Sequence, residues 1–301
     1  MNTPTAATLA TADHASKSTL AVFSELTKAR LSLLVVLTTA VGYALGSPGP
    51  IDLAAFFHAV LGTGLLAAGA SALNQFLERD LDALMLRTQD RPLPSGRLTP
   101  TFVLVFGSLC SVIGLAWLTL LANLAAGALG ALTLGLYVFV YTPLKRVSTL
   151  NTIVGAVPGA MPPLIGWAAA TGGLSAGGWS LFALQFFWQI PHFMAIAWLY
   201  RDDYARAGLQ MLPVVDPSGE RTGLQSIGHS LGLLTVSLSP FVLGLAGAAY
   251  LTGAVVLGTL MLALAIRFAR RLERTPARWL FLASVVYLPA VLGLMVLDRF
   301  R

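Results

Sequence analysis

Charge is what this chain has least of. Asp, Glu, Lys and Arg make up 11% of its 301 residues, while 56% are hydrophobic. A soluble domain carries about a quarter charged residues. With a mean hydropathy of +0.77, there is too little polar surface to clothe a water-soluble globule, which leaves an integral membrane protein. Cysteine is almost absent. Cys110 stands alone, so an internal disulfide and a multi-cysteine metal site are excluded, and its place in an apolar run makes it a small buried hydrophobe. No linker is long enough to separate two domains, which predicts one transmembrane domain over 25–301. Residues 1–24 are rich in Ala, Thr and Ser but lack an apolar core with a cleavage site, so they read as a disordered cytoplasmic tail. Acid is missing from the middle of the apolar runs: each Asp and Glu falls in a loop, the tail or a helix end. A transporter keeps such groups near mid-membrane, which argues against that class.

What is present is a series of nine apolar runs, at 28–46, 53–76, 100–120, 123–141, 150–171, 177–200, 225–245, 250–267 and 279–297. Each is close to the roughly 20 residues that a bilayer-crossing helix needs. The chain is therefore expected to be all-α, a polytopic bundle of nine transmembrane helices. Threaded back and forth, nine spans put the amino terminus and the loops 77–99, 142–149, 201–224 and 268–278 on one side, with 17 of the 19 Lys and Arg. Only Arg299 and Arg301 fall on the other side, at the carboxyl terminus. Positive loops mark the cytoplasmic side, so the expected location is the cell membrane, amino terminus inside and carboxyl terminus opposite. The net charge of +6 is thus a topology signal. With no basic soluble domain, nucleic acid is not an expected partner.

The few charges are concentrated. Residues 74–97, NQFLERDLDALMLRTQDRPLPSGR, gather four carboxylates and four arginines. Asn74, Glu78 and Asp82 recur at every fourth position. If the second helix runs on through them, they form one stripe roughly 12 Å long, with Asp80 facing elsewhere. Such a stripe suits a hard cation: magnesium is typically held by one or two carboxylates, with phosphate oxygens and waters completing its octahedron. Arg87, Arg91 and Arg97 are placed to clamp a phosphate. A solvated loop whose charges pair with one another is the plainer alternative. Asn74, an amide ending an apolar span, and the proline-stiffened RPLPSGR favour a built site.

A second loop, RDDYARAGLQMLPVV, brings Asp202, Asp203, Tyr204 and Arg206 together. The helix before it holds WQIPHF, in which His192 is either a polar bridge between helices or a group with chemistry to do. A third joint, YTPLKRVSTLN, sets Tyr141, Lys145 and Arg146 at the cytoplasmic face, to fix topology or to hold an anion. Pro162 and Pro163 interrupt the fifth span and should kink it, freeing carbonyls towards a cavity. Gly42 with Gly46, and Gly155 with Gly159, permit close helix contact.

These residues resemble a known family. NQFLERDLD with RTQDRPLPSGR is similar to the first diphosphate motif of the UbiA-type intramembrane prenyltransferases, whose usual form is Asn, Asp, Asp at this spacing. Glu78 in place of the common aspartate, together with LTKARLSLLVVLTTAVGY, YTPLKR, GAMPPLIGWAAATG, WQIPHF and DYARAGLQMLP, resembles the haem O synthase branch, from about residue 25 to 225. The resemblance implies helices around a cavity open to the cytoplasm, and transfer of the farnesyl group of farnesyl diphosphate to a vinyl group of haem b with addition of water. It implies Mg2+ held by Asn74, Glu78 and Asp82. Asp203 matches the second acidic motif and would serve as a further metal ligand, with Leu199 where another aspartate of that half-site often stands. Lys145, Arg87 and Arg91 would face the diphosphate; Lys28, Arg30 and Arg146 are cations available to propionates; and His192 or Tyr204 would orient the water or take its proton. The bilayer surrounds the protein, and the product would pass to a downstream haem-modifying membrane enzyme. The nearest rival is a sister prenyltransferase with a hydroxybenzoate, naphthoate or chlorophyll-precursor acceptor. A non-catalytic oxidase assembly factor is a further alternative, and it predicts no diphosphate release.

Overall fold

A computed structural model describes residues 17–299. Its helices are α1 (Thr19–Leu26), α2 (Ala29–Gly46), α3 (Leu53–Asp82), α4 (Pro100–Trp117), α5 (Leu124–Gly135), α6 (Asn151–Thr171), α7 (Ala176–Leu199), α8 (Arg201–Arg206), α9 (Leu212–Val215), α10 (Glu220–Val236), α11 (Ser239–Val242), α12 (Ala248–Arg271) and α13 (Arg274–Leu297). π-helical turns extend α4 through Leu118–Ala122 and α5 through Leu136–Tyr141. Of the expected tail, residues 1–16 lie outside the described residues, while Thr19–Leu26 is helical and buries Val22 and Leu26.

Eight helices among the described residues are long and apolar enough to cross a membrane. They match the expected runs to within a few residues, apart from three differences. The second helix continues to Asp82, so the acidic stripe is helical. The joint expected at 268–278 shrinks to Leu272–Glu273, because α12 carries Arg267, Arg270 and Arg271 on its own last turns. The run expected at 225–245 becomes a 17-residue α10, starting at Glu220, and a four-residue α11. Pro240 has no amide hydrogen to continue α10, and the chain breaks there.

Local chemistry sets the ends. The Asp52 carboxylate accepts from the amides of Ala54 and Ala55 at 2.9 and 3.1 Å, capping α3. Thr99 caps α4 ahead of Pro100. Asn123 caps α5 and donates to the Ala168 and Ala169 carbonyls of α6.

Helices α6 and α7 form the centre and are far more buried than α3, α4 or α12. Helix α2 packs on α6, α4 on α3, α10 and α13 on α7, and α12 against α10 and α13. Gly42 makes the α2–α6 contact possible, since a methyl group there would run into the Pro163 carbonyl. Cys110 is half-buried on α4. Despite Pro158, Pro162 and Pro163, α6 remains a continuous helix. Pro163 has no amide hydrogen for the Gly159 carbonyl, and the Gln185 side chain supplies one at 2.8 Å from α7.

Candidate active site

A cavity of about 540 Å³ lies within the bundle, ringed by α2, α3, α5, α6, α7 and α13. Its wall is mostly aliphatic and aromatic. At one end four cations meet it: Lys28, Arg87, Arg91 and Lys145. Beside that end is a polar recess of about 80 Å³ to which Glu78, Asp82, Tyr141 and Tyr204 also contribute.

The α3 stripe forms as its spacing predicts. Asn74, Glu78 and Asp82 are all buried, with Gln75 beside them, while Asp80 points outward. Each member of the stripe holds a different cation. The Lys28 amine donates to Asn74 Oδ1 at 2.7 Å, and the Asn74 amide donates to Thr142 Oγ1 at 3.0 Å. Lys145 donates to Glu78 Oε1 at 2.8 Å with its ammonium 4.4 Å from the centre of the Tyr141 ring. Arg91 donates to both oxygens of Asp82 at 2.8 and 2.7 Å. Gln75 donates to the Glu25 and Leu26 carbonyls, fixing α1 to α3.

Lys28 sits between α1 and α2 at φ 48°, a left-handed conformation that a side chain disfavours. Burial, with Arg91 and Lys145 nearby, pulls its ammonium down to about 7. Burial also works against the Lys145 ammonium, but the Glu78 carboxylate outweighs it and the pKa is raised.

Other expected residues fall differently. Arg87 donates to the Tyr204 hydroxyl at 3.3 Å and stacks over the Tyr200 and Tyr204 rings. Asp203 is buried but accepts from Arg206 and from the Leu86 amide. It therefore ties α8 to the loop after α3, and no group of three His, Cys, Asp or Glu suited to a metal occurs among the described residues. Arg97 does not line the cavity or the recess: it pairs with Glu25 and Asp90, pinning the loop to α1. Arg30 is exposed on the first turn of α2, and Arg146 is exposed and donates to the Leu77 carbonyl; neither lines the cavity.

His192 lines the cavity, stacked on Trp188 at 5.1 Å and bonded to Ser284 of α13 at 2.7 Å. Sequence reasoning passed over Gln185, Tyr137 and Ser284. The available signal was the spacing of Gln185, Gln189 and His192, which lie at i, i+4 and i+7 on one face of α7.

Two carboxylates on one helix face, buried and already neutralised by cations, fit magnesium in the way proteins usually hold it, through one or two carboxylates and the substrate's own phosphates. The same lysines and arginines fit the diphosphate. Residues 35–286 match the model of the UbiA prenyltransferase family. This chain is a member of that family. A protoheme IX farnesyltransferase of Solibacter usitatus is 49% identical over 92% of this chain and 98% of its own length. The human mitochondrial protoheme IX farnesyltransferase is 42% identical over 91% of this chain and 61% of its own. Among solved structures, a digeranylgeranylglyceryl phosphate synthase aligns with a TM-score of 0.78 at 16% identity, over 93% of this chain and 98% of that one. A UbiA homologue from Archaeoglobus fulgidus, solved with DMAPP and Mg2+, aligns with a TM-score of 0.63 at 17% identity, over 91% and 98%. Both share this fold.

Proposed function

We propose that this protein transfers the farnesyl group of farnesyl diphosphate to a vinyl group of haem b, with addition of water, giving haem O and inorganic diphosphate for respiratory terminal oxidases. The observation that carries this reading is the 49% identity with a protoheme IX farnesyltransferase over nearly the full length of both chains. The cavity supports it, being greasy along its length and cationic at one end.

The chemistry follows from that polarity. Breaking the bond between C1 and oxygen of an allylic diphosphate leaves negative charge on the departing group. Lys145, Lys28, Arg87 and Arg91 line the cationic end of the cavity, where fixed positive charge would stabilise the departing group as its charge develops. Asn74, Glu78 and Asp82 would hold magnesium, which when bound supplies a Lewis acid for the diphosphate oxygens. Asp203 would act from the second loop, and Tyr204 would steady Arg87. The apolar wall houses the farnesyl chain and keeps bulk water from the allylic cation. The terminal vinyl carbon of haem b then bonds to C1. Arg30 and Arg146, exposed at the same face, are cations available to haem propionates.

We further place residues 25–301 in the cell membrane as one domain, with the amino terminus in the cytoplasm and the carboxyl terminus opposite. The product would pass to a downstream haem-modifying membrane enzyme. The test is incubation of the purified protein with Mg2+, farnesyl diphosphate and equal amounts of haem b, a hydroxybenzoate and a naphthoate, read by mass spectrometry. Farnesyl plus water on haem alone is expected; prenylation of an aromatic acid with haem untouched would overturn the acceptor.

A further inference from the structure

The reaction needs one water, delivered late, inside a cavity otherwise built to exclude it. Resting on the proposed function, we infer that Gln189 and His192 bind that water and that Ser284 fixes the proton acceptor. The inference starts from how the polar atoms of α7 and α13 are already committed.

The Ser284 hydroxyl donates its single hydrogen to the Phe281 carbonyl at 2.6 Å. Its contact with His192 Nδ1 at 2.7 Å therefore has only one sense: Nδ1–H donates to Ser284 Oγ. In the neutral imidazole this leaves the lone pair on Nε2. That nitrogen has no hydrogen-bond partner among the described residues, and His192 lines the cavity. The ring is held in place by Trp188, stacked on it and itself anchored by its indole N–H to the Ser284 carbonyl at 2.7 Å.

Gln189 lies three residues before His192, one turn along the same face. Its amide nitrogen is spent on the Ala156 and Gln185 carbonyls, at 3.1 and 3.2 Å. Its oxygen, by elimination, is the free end. Gly159 makes room for that oxygen, because a methyl group there would overlap it. Gln185 likewise donates to the Gly159 carbonyl that Pro163 orphans, holding α7 against α6. The cavity wall thus presents two fixed acceptors, Gln189 Oε1 and His192 Nε2, in a mostly apolar lining. Two acceptors orient a water molecule through both of its hydrogens and turn its lone pairs outward, as a nucleophile requires. Tyr204, the other candidate for this role, stands instead in the polar recess with Arg87, Glu78 and Asp82.

The step balances. C–C bond formation leaves a cation at the inner vinyl carbon. The water oxygen donates a lone pair to that carbon, one hydrogen stays as the hydroxyl, and one proton passes to His192 Nε2. Without a bound water, the cation loses a proton from the adjacent methylene, giving an alkene lighter by one water.

The experiment compares wild type with Gln189→Leu and Ser284→Ala, in oxygen-labelled water with haem b, farnesyl diphosphate and Mg2+. The ratio of alkene to labelled hydroxylated haem is read within the farnesylated product, so slower turnover does not enter it. Gln189→Leu, which removes one of the two acceptors that orient the water, should raise the ratio about 10-fold, the worth of roughly one hydrogen bond, and Ser284→Ala should raise it less. If both variants give only the hydroxylated product, the inference is overturned, even if they are slow. If wild type farnesylates no haem, the proposed function fails first and this inference with it.

Discussion

Lys145 and Arg91 are already engaged with Glu78 and Asp82, and on the proposed function they would meet an arriving diphosphate in that state. An anion that takes over these cations releases the two carboxylates, which then need a cation of their own. Magnesium and diphosphate should therefore bind cooperatively. Calorimetry should show Mg2+ binding 5- to 150-fold more tightly, roughly the range of site coupling, once a non-hydrolysable farnesyl diphosphate analogue is present; equal affinities would refute the exchange. Lys145→Met, which strands a buried carboxylate, should cost about 3 kcal/mol of stability. Thermal unfolding should show Mg2+ restoring part of the loss, and no response to Mg2+ would mean that Glu78 does not meet the metal. The stripe of Asn74, Glu78 and Asp82 was legible because helical periodicity is local. The arginines were not equally legible. Arg87 and Arg91 reach the cavity while Arg97 turns back to Glu25 and Asp90, a choice made by turn geometry that has no period to read.

At the scale of helices, apolar length located eight spans well, and it did less well where tertiary contacts decide the ends. Helix α3 runs past its apolar stretch because Glu78 and Asp82 find cations on other elements. Helix α10 stops early at a proline. The glycine pairs correctly announced close contacts, and Gly42 offers the cleanest test. Gly42→Ala should force α2 off the Pro163 carbonyl and cost about 1–3 kcal/mol, as overpacking does, read as a lowered melting temperature in detergent; an unchanged value would show that the α2–α6 contact can slide. The α7 stripe of Gln185, Gln189 and His192 was harder to see. Amides in an apolar helix look alike whether they satisfy a neighbour or face a cavity, and only the placement of Gly159, Pro163 and Ser284 separates the two.

Across the whole molecule, scarcity of charge is the organising fact. Six of its ionic groups, Lys28, Glu78, Asp82, Arg87, Arg91 and Lys145, gather at one end of an apolar cavity, where on the proposed function a diphosphate would be gripped with its hydrocarbon chain along the apolar wall. On the proposed function this arrangement would favour transfer over hydrolysis, because the leaving group would be stabilised at the mouth while the allylic cation forms out of bulk water. The most direct test is the stoichiometry of a single turnover, with diphosphate released and haem consumed measured in the same sample, for wild type and Asp82→Asn. The account predicts one diphosphate per farnesylated haem, dependent on Mg2+, and a rate reduced by about 10²–10³ in the variant, as for loss of one preorganised charge-stabilising group. Diphosphate released without haem modification, or an Asp82→Asn rate equal to wild type, would contradict it.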